Sequence, residues 1–193
     1  MTDVVGWVEQ HGYLLVFVTV GLELVGVPFP SETILLGAGA AASSGSLNVL
    51  AVMAVGAVAA VLGAGGGYAI GWVGGRALLE RLVARGWPRQ QQLLRVEAFV
   101  ARHGGKSLVG SRFIPFVRIF APWMAGAARM PLRRFAIWNI AGGVVWVVVV
   151  TSAGFLFGTS VAAAEQGFGP LAVAAVVVAA VAAFGVYRVR AHR

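Results

Sequence analysis

Cysteine is absent from the 193-residue sequence, which excludes disulfides and thiolate metal sites. Histidine is nearly so: His11, His103 and His192 lie far apart, and neither a histidine-based metal centre nor any other cofactor is expected. Charge is scarce too, at 11% of residues against 59% hydrophobic ones. A soluble domain carries about a quarter charged residues, so too little polar surface remains here to cover a water-soluble globule. No Asp, Glu, Lys or Arg occurs from Leu47 to Gly75, from Phe135 to Ala164, or from Gln166 to Tyr187. A bilayer-crossing helix needs roughly 20 such residues, and these runs predict transmembrane helices over 47–75, 135–160 and 168–187. The first residues, with Asp3 and Glu9, lack the basic stretch of a cleavable signal peptide. The fold class is that of an all-α polytopic membrane protein, a single membrane domain over 1–193.

The charge that is present is unevenly placed. A net charge of +8 on so apolar a chain points to anionic lipid headgroups and away from nucleic acid. Arg76, Arg81, Arg85, Arg89, Arg95, Arg102 and Lys106 outnumber Glu80 and Glu97. Arg129, Arg133 and Arg134 form a second basic cluster, and Arg188, Arg190 and Arg193 a third. Basic residues of short loops stay on the cytoplasmic side. All three clusters share that side only if 107–128 enters and leaves the membrane on one face. The C-terminus is then cytoplasmic, while Glu165 and the acidic N-terminus face outside.

Proline marks two interruptions. Residues 13–42 are apolar but broken by Val27-Pro28-Phe29-Pro30-Ser31, with Glu23 and Glu32 on either side. Two prolines in three residues break a helix, and bare backbone at membrane depth must face protein or water. The segment reads as a first re-entrant hairpin of two half-helices, a single kinked span being the alternative. The second, 107–128, carries Arg112 and Arg118 around Pro115, followed by Pro122. Two arginines and two glutamates left unpaired in lipid would cost roughly 10 kcal/mol together, so they are expected to be paired or hydrated. The alternative is that they snorkel to the headgroups.

One hairpin is acidic, the other basic, and each precedes a long apolar span. That arrangement predicts an inverted repeat whose broken helices face each other near the midplane. Helix N-termini there favour an anion, the planar fork of arginine suits a phosphate, and intramembrane carboxylates relay protons. Arg112 and Arg118 are the expected phosphate-binding residues, Glu23 and Glu32 the proton-coupling pair.

Gly63, Gly67, Gly71 and Gly75 recur every fourth residue and line one helix face for close packing, either internally or across a homodimer. Between spans, 76–104 is broken at Gly86-Trp87-Pro88. It then sets Leu93, Val96 and Val100 on one face and Arg95 and Arg102 elsewhere, as an amphipathic helix on the cytoplasmic interface does. Gly104-Gly105-Lys106-Ser107 is not a phosphate-binding P-loop, because Val100 stands where its first glycine belongs. Neither Ser31 nor Ser111 has a histidine base in the membrane, so a lipid hydrolase, or any enzyme, is not expected.

These motifs resemble those of the DedA family, the SNARE-associated or VTT-domain membrane proteins of bacteria. Glu23-x4-Pro28-x-Pro30-Ser31-Glu32, then Gly39, is similar to its first signature, with Ser31 where many members have glycine. Gly67-Tyr68-x2-Gly71-x3-Gly75 resembles its glycine motif. Gly110-x-Arg112-Phe-Ile-Pro115-x2-Arg118-x3-Pro122-x3-Gly126 resembles its second signature, and Phe135, Asn139, Gly142 and Trp146 match the next span. The resemblance implies an inverted-repeat fold with two re-entrant hairpins, a place in the cytoplasmic membrane, and transport of lipid linked to proton-motive force. It implies essential roles for Glu23, Glu32, Arg112 and Arg118. Its implied cargo is undecaprenyl phosphate, the carrier lipid of cell-wall synthesis, or another phospholipid. A flippase is the expected function. The alternatives are a proton-coupled antiporter for small cations or drugs, a phospholipid scramblase, and an envelope scaffold.

Overall fold

A computed structural model describes residues 2–27, 29–84 and 104–168, together with positions 91, 94, 98 and 102. Among them the chain is helical throughout, with no strand. Helices α1 (Thr2–Val25), α2 (Ser31–Ser43) and α3 (Val49–Ala84) come first. A 3-10 turn (Gly104–Lys106) leads into α4 (Ser107–Ser111), α5 (Pro115–Ala127) and α6 (Leu132–Phe168). Among the described residues two stretches are long and apolar enough to cross a membrane, Val49–Gly75 with 27 residues and Leu132–Ser160 with 29. They carry exposed Leu50, Leu62, Val73, Leu156 and Phe157, an apolar exterior suited to lipid. The span expected over 168–187, the cytoplasmic C-terminus, Pro28 and most of the amphipathic segment 76–104 lie outside the described residues.

Both interruptions divide the chain into two helices. The first helix begins at Thr2, well before the expected position 13. It ends where Gly26 adopts a φ of 133°, and the Val27 amide reaches back to the Leu22 carbonyl at 3.0 Å. Glycine admits that backbone and closes the helix end. Pro30 then stands at the N-cap of α2. In the second interruption Pro115 opens α5, where its missing amide hydrogen costs nothing.

Two expectations are corrected. Pro122 is not a break: it lies inside α5, which continues to Ala127. It removes only the amide that would bond the Arg118 carbonyl, a loss that a helix packed on its neighbour tolerates. Nor is Gly75 a packing glycine. Its φ of 55° and ψ of −157° kink α3, and nothing lies within 4 Å of where a side chain would begin.

The other three glycines do bring helices together, within this chain. A methyl group on Gly63 would meet the Gly21 carbonyl and Leu24 of α1; on Gly67 it would meet the Trp123 ring at 2.7 Å; on Gly71, the Trp123 backbone. α5 reciprocates, because Gly126 abuts the Tyr68 carbonyl of α3. The same mutual clasp joins α2 to α6, with Gly39 against the Thr151 carbonyl and Gly154 against the Leu36 carbonyl. Each short helix after a break therefore packs on the long helix of the other half of the chain. Van der Waals contact between small residues is the main adhesive available where lipid replaces water. Val16, Val20, Leu24, Leu35, Val52, Phe120 and Trp146 fill the centre.

Candidate functional site

The two broken segments meet at Arg118. This residue sits one turn into α5, and its Nη2 donates to Glu23 Oε1 at 2.5 Å while its Nη1 donates to Glu32 Oε1 at 2.7 Å. Glu23 comes from the last turn of α1 and Glu32 from the first turn of α2, so one guanidinium ties both sides of the first break to the second. The flat underside of that guanidinium lies 5.1 Å from the centroid of the Trp146 ring of α6, within range of a cation–π attraction. Charge-assisted bonds of this length are the strong ones, but burial of the ions offsets much of their value. The arrangement is better read as a held position than as a source of stability.

The two carboxylates are not equivalent. The Glu23 side chain is 4% exposed and that of Glu32 is 38% exposed. Glu23 is also held twice, because the fully buried Ser31 hydroxyl donates to its Oε2. Among the described residues Glu32 has the one ion pair to Arg118. Ser31 thus lends a hydroxyl where a glycine would leave the acid with one partner fewer.

Arg112 occupies the second break itself, at the end of α4, and is buried. Its Nη2 donates to Asn139 Oδ1 at 2.5 Å and to the Ala60 and Asn139 carbonyls at 3.4 Å each. Among the described residues its Nη1 has no hydrogen-bond partner, and neither has Arg118 Nε nor Trp146 Nε1. Buried donors left unmet are uncommon and costly. Here three of them, all N–H groups, belong to two arginines and the tryptophan beside one of them. Such a set is chemically suited to the oxygens of an anion.

Of the four charged residues singled out in the sequence, Glu23, Glu32 and Arg118 meet where the two breaks join, whereas Arg112 is buried in the second break against α3 and α6. Four further residues complete the site. Trp123 lies over Gly67 and Gly71, and its Nε1 donates to the Val25 carbonyl at 3.0 Å, satisfying the exposed end of α1. Only the slot left by those two glycines could have pointed to a large partner. Asn139 and Trp146 hold or underlie the arginines. Tyr68, stacked on Phe135 at 4.2 Å, donates to the Met130 carbonyl at 2.6 Å and ties α3 to the start of α6.

Residues 29–156, which hold every element of this site except Glu23, match the VTT domain. Protein DedA of Escherichia coli is 35% identical over 156 residues, covering 79% of this chain and 70% of the relative. An uncharacterized membrane protein of Mycobacterium tuberculosis is 32% identical over 186 residues, covering 94% and 85%. The inner membrane protein YghB of Escherichia coli is 35% identical over 149 residues, covering 74% and 66%. No solved structure matches the chain. With the domain matched from within the first break through the second and relatives aligned over most of its length, the chain belongs to the DedA family of VTT-domain membrane proteins.

Proposed function

We propose that this protein is a lipid flippase of the bacterial cytoplasmic membrane that carries an anionic phospholipid, undecaprenyl phosphate in first place, coupled to proton movement. The observation that carries the reading is the unequal state of two neighbouring buried arginines. Arg118 is closed by two carboxylates, whereas Arg112 meets only neutral oxygens. A phosphate drawn to Arg112 competes with Glu32, the more exposed acid, for Nη1 of Arg118. Protonation of Glu32 weakens its hold and admits the phosphate; deprotonation restores the ion pair and expels it. Glu23, fixed by Ser31, stays in place and returns Arg118 to its resting position. The lipid tail remains among the outward apolar side chains of α3 and α6.

The mutual clasp of α2 with α6 and of α5 with α3 supports an inverted repeat, with the two breaks as re-entrant hairpins that rock against each other. The inner-membrane name of the YghB relative supports the location. The test is translocation by purified protein in liposomes, with labelled undecaprenyl phosphate and phosphatidylethanolamine compared with and without a pH gradient. Selective movement of the polyprenyl phosphate, accelerated by the gradient, is expected. Equal movement of both lipids regardless of the gradient would make the protein a scramblase. Proton release on adding a cationic drug, with neither lipid moving, would make it an antiporter.

A further inference from the structure

The partner of Arg112 is an amide and not a carboxylate. Asn139 is buried in α6 and its orientation is fixed, because Nδ2 donates to the Val61 carbonyl at 3.0 Å and so leaves Oδ1 to face Arg112 Nη2 at 2.5 Å. The remaining acceptors on that nitrogen are backbone carbonyls. Gly142 and Gly143 bring the α6 backbone close on the same side: a methyl group on either would lie 3.3 Å from Nε or 3.5 Å from Nη2. Among the described residues no carboxylate pairs with Arg112. Asparagine and aspartate differ here by one NH2 group for one oxygen. The acid would give Arg112 an ion pair like those of Arg118, while setting its second oxygen against the Val61 carbonyl. The amide instead maintains an unneutralised guanidinium in a buried site, which is electrostatically costly.

We propose that Asn139 is a specificity-determining positioning residue, whose neutral amide aims Arg112 without cancelling its charge and so reserves Nη1 for an anionic phosphate ester. The inference rests on the lipid-phosphate reading above, and names what makes one arginine a receptor and the other a latch. Orientation comes from Oδ1 and from the Val61 anchor; selectivity for an anion comes from the charge that the amide leaves uncompensated.

The test uses the full chain in dodecyl maltoside, titrated calorimetrically with decyl phosphate. Asn139→Asp is expected to weaken binding by roughly 30-fold or more, the scale on which a buried charge pair counts. Asn139→Ser, which loses the bridge but leaves Arg112 charged, is expected to stay within about fivefold of wild type. A second readout needs no ligand. Asn139→Asp should be better tolerated with Arg112 present than in an Arg112→Gln background, by roughly 3 °C or more in Tm. Equal losses of binding in the Asp and Ser proteins, with no such coupling, would reduce Asn139 to a structural bridge and overturn the proposal. Wild-type affinity in Asn139→Asp would overturn it as well. Thermal coupling without any decyl phosphate bound by the wild type would uphold the charge-sparing role of Asn139 and remove the phosphate reading instead.

Discussion

Arg118→Gln is expected to destabilise the folded protein by about 3–5 kcal/mol and to abolish transport. The cost comes from what is left behind. Glu23 is buried and Glu32 stands close by, so loss of the shared guanidinium leaves two carboxylates facing each other without a cation. One buried charge stripped of its partner is among the few single changes that reach this size. The double variant Glu23→Gln/Arg118→Gln removes the stranded buried carboxylate as well, and is expected to recover more than half of the lost stability. It should not recover transport, because the latch is gone. Unfolding midpoints in detergent, measured beside translocation in liposomes, separate the two effects. A wild-type midpoint for Arg118→Gln would mean that the ion pairs hold nothing in place.

Glycines on the two clasps should respond in the opposite sense to glycines that face open space. At Gly126 a methyl group would strike the Tyr68 carbonyl, and at Gly71 it would strike the Trp123 backbone. Backbone cannot swing aside as a side chain does, so α5 and α3 must move apart. Gly126→Leu is expected to cost about 3 kcal/mol or more, at or beyond the upper end of overpacking penalties. Gly65 lies in the same helix α3 with nothing within 4 Å of its missing side chain. Gly65→Ala is therefore expected to stabilise by about 0.5–1 kcal/mol through the reduced freedom of the unfolded chain. Thermal midpoints of the two variants should fall on opposite sides of wild type. A midpoint at or above wild type for Gly126→Leu would show that the clasp does not hold α5 to α3.

What could be read from the sequence was what is expensive in a membrane. Glu23, Glu32, Arg112 and Arg118 stand out because ionisable residues in apolar stretches cost several kcal/mol each, and prolines beside them disclose where helices give way. The glycine repeat disclosed close packing for the same reason, since only small residues let backbones touch. Pairing was not legible. Arg118 lies 95 residues from Glu23 and 86 from Glu32, and nothing local distinguishes it from Arg112 as the one that takes both acids. The unequal exposure of the acids depends on how α2 packs along α6, and the neutral setting of Arg112 depends on Asn139 reaching it across 27 residues. Pro122 misled because proline signals a break on its own account, while tertiary packing decides whether the helix stops. Gly75 misled in the opposite direction: its spacing continued the packing face, yet its positive φ ends that face with a kink.

Native mass spectrometry reads out whether the buried arginines recognise the phosphate of a lipid. The purified protein would be presented with equimolar undecaprenyl phosphate and undecaprenol, which share a tail and differ only in the headgroup. Retention of the phosphate lipid alone is expected, lost in Arg112→Gln while that variant still unfolds cooperatively. Equal retention of the alcohol, or undiminished retention of the phosphate by Arg112→Gln, would contradict it.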